Sequence, residues 1–84
     1  MHQVLFRNGW GLPLKQKTVR VRSANQNVEQ LLITDEMGGI HFDASNENHW
    51  VFDVEHKNQR WTRELVFEES NSSHILRLGR PIPL

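Results

Sequence analysis

The chain has 84 residues and a mass of 9.9 kDa, and its ten basic and ten acidic side chains give a formal net charge of zero. A chain of this length forms one domain with a small core. It contains no cysteine, which excludes a disulfide framework, a thiol nucleophile and a cysteine–zinc site. No apolar run approaches the roughly 20 residues that cross a bilayer, so we expect no membrane partner and a cytoplasmic location.

Charged residues are segregated along the chain. Residues 1–22 carry five basic side chains and no acidic one, residues 23–56 carry seven acidic side chains and no lysine or arginine, and residues 57–84 carry five basic against three acidic side chains. The blocks either meet as cross-strand pairs within one sheet or lie on opposite faces. We favour the first arrangement, whereas the second would present a basic face to an anionic partner.

The amino-terminal third predicts a hairpin and a basic strand. The strand signal Val4-Leu5-Phe6 runs into Asn8-Gly9, the strongest signal for a two-residue hairpin turn. Such a turn places Arg7 opposite Trp10 at an exposed tip. Residues 17–22 then alternate between valine and polar side chains, which indicates a strand with a basic outer face, and we expect it at a sheet edge.

Residues 25–37 favour a short helix. Val28, Leu31 and Leu32 have the i, i+3, i+4 spacing of one helical face, and two glycines at positions 38 and 39 provide a stop. The alternative is a buried strand over residues 31–34, because Leu31, Leu32 and Ile33 are consecutive. We predict the helix, about three turns long.

Residues 40–67 predict a three-stranded meander. Pairing Asp43 with His49 aligns segment 40–43 with segment 49–55, and pairing His56 with Gln59 places Glu55 opposite Arg60. Both registers bury a single face of the sheet. The predicted inner face contains Ile40, Phe42, Trp50, Phe52, Val54, Trp61, Leu65 and Phe67.

These elements predict an α+β domain. We expect an antiparallel sheet of four to six strands with the helix at about residues 25–37 packed on it, and a small all-β barrel or roll as the alternative. Residues 1–79 are predicted to form a single compact domain. Residues 80–84 contain two prolines and are predicted to be an extended tail.

One polar group resembles a metal or general-base site. The meander register places His41, Asp43 and His49 on the outer face of two paired strands, and imidazole and carboxylate groups are ligands for zinc or manganese. A solvated strand face explains the same residues without a function. Since no nucleophile or phosphate loop accompanies them, we predict a protein with no enzymatic activity, no cofactor and no metal.

The sequence is therefore interpreted as a small protein-binding module that acts as an inhibitor, adaptor or subunit. Tryptophan and arginine are the residues that most often dominate protein interfaces. A nucleic-acid-binding domain that uses the basic strand 15–22 is the alternative, and a homodimer through an edge strand is a further option. The predicted contact residues are Arg7, Trp10, Lys17, Arg20, Arg22, Arg80 and Ile82.

Overall fold

The structure, a computed structural model, describes residues 1–25, 28–43, 47–56, 58–69 and 71–79, with the backbone alone described at position 56. The described residues form seven β-strands and no helix. The strands are β1 His2–Arg7, β2 Thr18–Ser23, β3 Glu29–Ile33, β4 Gly39–Phe42, β5 His49–His56, β6 Gln59–Val66 and β7 Ser72–Arg77.

The strands are arranged in two sheets. Sheet A has the order β4-β1-β7, in which β1 pairs antiparallel with β4 and parallel with β7. Sheet B has the order β3-β2-β5-β6 and is antiparallel throughout. Most strands alternate more buried with less buried side chains, and the fully buried ones lie on β1, β2, β4 and β5, as expected when two sheets bury their facing surfaces. The chain is therefore a small all-β sandwich, which corresponds to the all-β alternative.

Aromatic rings from the two sheets interdigitate in the core. The ring of Phe42 in sheet A lies 5.2 Å from that of Trp50 and 5.7 Å from that of Phe52 in sheet B, measured between centroids. Phe6 contacts Phe52 edge-on at 5.9 Å. These tilted and edge-on geometries are the favoured arrangements of aromatic pairs. The aromatic residues of the predicted meander thus join the two sheets rather than line one face of a single sheet.

The predicted α+β class is wrong, because residues 29–33 form strand β3 instead of a helix. β3 pairs with β2 along its whole length, from Thr18 opposite Ile33 to Arg22 opposite Glu29. In this register Leu32 faces the core while Leu31 and Ile33 are exposed. The apparent helical spacing therefore counted side chains that point to opposite sides of a strand.

Of the two pairings predicted for the meander, one is confirmed and one is wrong. The predicted register of β5 and β6 is confirmed from His56 opposite Gln59 to Trp50 opposite Leu65. The predicted hairpin between residues 40–43 and 49–55 is wrong, because β4 pairs with β1 in sheet A and β5 pairs with β2 in sheet B. Strands β4 and β5, which follow each other in the chain, therefore lie in different sheets.

Two further expectations about the amino-terminal third are corrected. Strand β2 lies between β3 and β5, so the basic strand is an inner strand and not an edge. The hairpin after β1 is not closed by a two-residue turn, because Arg7 bridges to Pro13 and not to Trp10. The predicted tail, residues 80–84, lies outside the described residues.

A buried histidine, His2, lies at the end of the core opposite the loop that follows β1. His2 stacks on Phe67 with ring centroids 3.9 Å apart, and its Nδ1 lies 2.8 Å from the hydroxyl of Ser72. Burial lowers the pKa of His2 below 6.5, and the positive amino terminus and His74 lower it further, while Asp43 opposes them. The neutral form of His2 is therefore the one that suits the folded protein.

We expect the stability of the protein to fall as the pH falls from neutral through 6.5, the pKa of an ordinary histidine. In that range the unfolded chain binds a proton at His2 before the folded chain does, so protonation favours unfolding. The substitution His2→Phe keeps a stacked ring and removes the titration. The slope of Tm against pH should become shallower in this variant, and an unchanged slope would show that His2 is not its source.

Candidate docking surface at the loop end

The loop after β1 is a three-residue hairpin closed by hydrogen bonds. The amide of Asn8 donates to the carbonyl of Leu12 at 2.8 Å, and the amide of Gly11 donates to the carbonyl of Asn8 at 2.9 Å. The Asn8 side-chain oxygen accepts the amides of Trp10 and Leu12 at 2.9 and 3.0 Å. Gly11 adopts a φ of 84°, the left-handed conformation that closes such a loop.

The loop before β4 has the same construction. The amide of Asp35 donates to the carbonyl of Gly39 and the amide of Gly38 donates to the carbonyl of Asp35, both at 3.0 Å. The Asp35 carboxylate accepts the amides of Met37 and Gly39, each at 2.9 Å, and these bonds lower the pKa of Asp35. Gly38 has a φ of 79°. Met37 thus occupies the position in this loop that Trp10 occupies in the first.

Both loops lie at the same end of sheet A, because β1 ends where the antiparallel strand β4 begins. Leu5 pairs with Gly39, and the amide of Phe6 donates to the carbonyl of Gly38 at 2.8 Å. The carbonyl of Phe6 in turn accepts the amide of Leu14 at 3.0 Å. Phe6 is therefore bonded through its amide to the second loop and through its carbonyl to Leu14, which follows the first loop.

Three large apolar side chains are exposed in these loops. Trp10 is 65% exposed, and Leu12 and Met37 are each 60% exposed. We call this set, Trp10, Leu12 and Met37, the apolar tip. Exposed apolar side chains that are grouped together are a feature of interaction surfaces, and these three lie on two loops at one end of sheet A.

Cationic side chains fix the first loop from the side of sheet A. The Arg7 guanidinium donates to the carbonyl of Gly11 at 3.2 Å, and that of Arg77 donates to the carbonyl of Gly9. Arg7 therefore donates a hydrogen bond to the main chain of the loop. The amide of Leu78 donates to the carbonyl of Arg7 at 2.7 Å, so the chain leaves β7 at the same end.

The segment behind the loops is held by a buried threonine. The Thr34 hydroxyl donates to the carbonyl of Leu14 at 2.6 Å and accepts the amide of Lys17 at 2.7 Å. This side chain joins the segment 14–17 to the residues that lead into the second loop. A weak ion pair between Lys15 and Glu36, 4.0 Å apart, spans the same two segments at the surface.

The basic strand does not form a separate basic face. Arg20 pairs with Glu29 at 3.3 Å, and Arg22 pairs with Asp53 at 3.4 Å, so acidic side chains flank both arginines in sheet B. The charge blocks of the sequence therefore meet as cross-strand pairs. Carboxylates interspersed among the arginines repel phosphates, which is unfavourable for a nucleic-acid interface on β2.

The three weak metal candidates are not brought together as predicted. His41 lies on β4 in sheet A, next to Gln3, whereas His49 lies on β5 in sheet B, with its Nε2 3.0 Å from Glu64. Asp43 follows β4, which pairs with β1, whereas His49 lies opposite Val66 on β6. Within the described ranges, no group of three histidine, aspartate or glutamate side chains is arranged to hold a metal ion.

The sequence reasoning identified Trp10 and missed Leu12 and Met37. A usable signal was present, since Asn8 and Asp35 are each followed three residues later by a glycine, at positions 11 and 38. Asparagine and aspartate accept hydrogen bonds from the amides that follow them, and glycine supplies the left-handed closing residue. Arg80 and Ile82, the two predicted contacts in the tail, lie outside the described residues.

No model of a protein family matches the chain, and no curated protein is significantly similar to it. None of the described residues form a helix with the length and hydropathy needed to cross a lipid bilayer.

Proposed function

We propose that this protein is a small non-catalytic binding module, an inhibitor, adaptor or subunit, that docks onto another protein through the apolar tip. The observation that carries the proposal is the exposure of Trp10, Leu12 and Met37 on two loops of the same construction at one end of the sandwich. Tryptophan and methionine are enriched in protein interfaces, and tryptophan is frequent among the residues that dominate binding energy.

The hydrogen bonds within the loops support the same proposal. Each loop is closed by two main-chain hydrogen bonds and by an Asn or Asp side chain, so its apolar residue is held outward before a partner arrives. Preorganisation of this kind reduces the conformational entropy lost on binding. The partner expected is a protein with an apolar groove that accepts the indole ring of Trp10, with Leu12 and Met37 at its rim.

The described part of the chain ends beyond strand β7, at the end of sheet A where the first loop lies. The last described residue, Gly79, follows Leu78, whose amide is bonded to Arg7 at the base of the first loop. Arg80 and Ile82 follow directly in the chain, and we include them in the proposed contact. Arg20 and Arg22 are not included, because β2 is an inner strand and each of the two faces an acidic partner. Lys17 precedes β2 and lies outside both loops, so it is not included either.

The substitution Trp10→Ala is expected to weaken partner binding by about 2 kcal/mol or more, the loss typical of a dominant interface residue. The full chain and the variant are compared in quantitative affinity capture at high salt, with the melting temperature measured for each. Ile75→Ala is the matched control, because Ile75 is 61% exposed on β7 and outside the loops. Equal capture of the same protein by all three chains would contradict the proposal.

A further inference from the structure

Strand β6 forms one edge of sheet B and has no partner on its outer side among the described strands. It has eight residues, Gln59–Val66, and pairs with β5 throughout. Natural edge strands are usually short or otherwise blunted, because an exposed row of amides and carbonyls accepts another strand. A long edge strand is therefore expected either to be protected by other groups or to pair with another strand.

The residue that follows β6 shows which main-chain groups of this strand point toward β5. The amide of Phe67 donates to the carbonyl of Asn48 at 2.7 Å, so Phe67 directs its main-chain groups toward β5. Because this direction alternates along an antiparallel strand, the main-chain groups of Arg60, Thr62 and Glu64 point away from β5. The Arg63 guanidinium donates to the carbonyl of Thr62 at 2.9 Å, which is consistent with that carbonyl pointing outward.

We propose that β6 pairs antiparallel with β6 of a second copy of this chain, with a two-fold axis at Thr62. In this register Arg60 of each copy lies opposite Glu64 of the other, so two oppositely charged pairs form. On the other face, Trp61 of each copy lies opposite Arg63 of the other, a cation–π arrangement that forms twice. The contact uses the same patch on both copies and therefore closes as a dimer.

The sequence of β6 selects this register from those that the hydrogen-bond phase allows. Registers centred on Arg60, Arg63 or Glu64 place like charges opposite each other, which destabilises a ladder. A register centred on Trp61 pairs none of the charges. Among these registers, only the one centred on Thr62 places opposite charges across the interface. In this register the outward amides and carbonyls of the two strands also face each other and can form the hydrogen bonds of a ladder.

Neighbouring charges in each copy continue the pattern. Arg60 already pairs with Glu55 on β5 at 2.7 Å, and Glu64 lies 3.0 Å from His49 on β5. Pairing of the two edges extends these contacts into a row of alternating charge across both copies. In the single chain Arg63 protects the carbonyl of Thr62, and in the dimer the amide of Thr62 from the second copy takes its place.

Charge exchange on the full chain tests the register by sedimentation velocity. The wild-type protein is expected to show a concentration-dependent dimer. Arg60→Glu and Glu64→Arg should each raise the dissociation constant about tenfold or more, since two attractive pairs become repulsive. A mixture of the two variants should restore dimers, because each glutamate then faces an arginine. Arg20→Glu, a charge reversal on an inner strand, is the control and should leave the dimer intact.

A proline at the axis provides a second test that does not depend on charge. The amide of Thr62 points outward, so Thr62→Pro removes no bond to β5 and blocks the centre of the interface. Thr62→Ala retains the amide and is the matched control. A monomeric proline variant beside a dimeric alanine variant supports the proposal. A wild-type chain that stays monomeric to millimolar concentration, or charge variants whose mixture does not associate, would overturn it.

Discussion

Replacing Phe42 with alanine is expected to lower the free energy of unfolding by about 3–5 kcal/mol, as for other buried phenylalanines. Phe42 is 3% exposed, and its ring contacts Trp50, Phe52 and Phe67, all of them outside sheet A. It is the largest core residue on the short strand β4. Its removal leaves a cavity between the sheets and weakens the attachment of β4, and urea unfolding measures the loss.

The control for this prediction is His41→Ala on the same strand. His41 is exposed on the outer face of sheet A, so its removal should change the free energy of unfolding by less than about 0.5 kcal/mol. Similar effects of the two substitutions would show that β4 does not pack its Phe42 side into the core. The difference in the free energy of unfolding between the two variants therefore shows how much more the inward-facing side chain of β4 contributes to stability than the outward-facing one.

Replacing Gly38 with alanine is expected to cost about 2–5 kcal/mol, because a left-handed backbone and a forced overlap act together. Gly38 has a φ of 79°, and a Cβ atom at this position would lie 2.5 Å from the carbonyl oxygen of Phe6 and 3.0 Å from the amide nitrogen of Leu14. Both neighbours are main-chain atoms in the ladder, so neither moves aside cheaply. The loss should appear in urea unfolding.

Gly11→Ala separates the two causes. Gly11 has a similar φ of 84°, but a Cβ atom there would meet no other atom within 4 Å. This variant should therefore lose only about 1–2 kcal/mol, the cost of the left-handed conformation for a residue with a side chain. Equal losses at the two positions would contradict the close approach between the second loop and the segment 13–14.

The register of β5 and β6 was predictable because local signals agreed. A short turn joins the strands, the pair Glu55–Arg60 matches in charge, and the buried residues Phe52 and Val54 fall on one side. The turn fixes which residues are opposite, and the buried face excludes a shift by one residue. A hairpin of this type carries its pairing within about 18 residues of sequence.

The pairing of β4 was not predictable from its own residues. Ile40 and Phe42 point inward in either arrangement, so alternation gives the buried side and not the neighbouring strand. The true neighbour, β1, has the same pattern at Val4 and Phe6. Its second neighbour, β7, pairs in parallel across about 70 residues, and parallel pairs have no local turn to announce them.

The prediction of a helix failed because β3 does not follow simple alternation in hydrophobicity. Leu31 is 63% exposed and Ile33 is 69% exposed, yet Leu32 between them contacts the core. A strand with apolar residues on both faces resembles part of a helix when only spacing is considered. The tertiary context, an antiparallel ladder with β2, overrides the local preference.

The candidate docking surface was predicted in part. Trp10 between two glycines was recognisable as an exposed tip, but the placement of its loop at the same end of sheet A as the loop of Met37 depends on the pairing of β1 with β4. The basic strand was not a reliable sign of a contact surface. Its alternation shows which side the arginines face, but it does not show that Glu29 and Asp53 lie beside them. Cross-strand neighbours decide whether a cation is available to a partner.

Site-specific photo-crosslinking at position 10 tests the proposed docking surface most directly. A photoreactive phenylalanine analogue replaces Trp10 in the full chain, expressed in the cells that make this protein, and a second chain carries it at Ile75 as the control. The account predicts one protein partner crosslinked from position 10 and not from position 75, with the crosslink reduced by Met37→Ala. Identical crosslinks from both positions, or none from position 10, would contradict the assignment of the apolar tip as a docking surface.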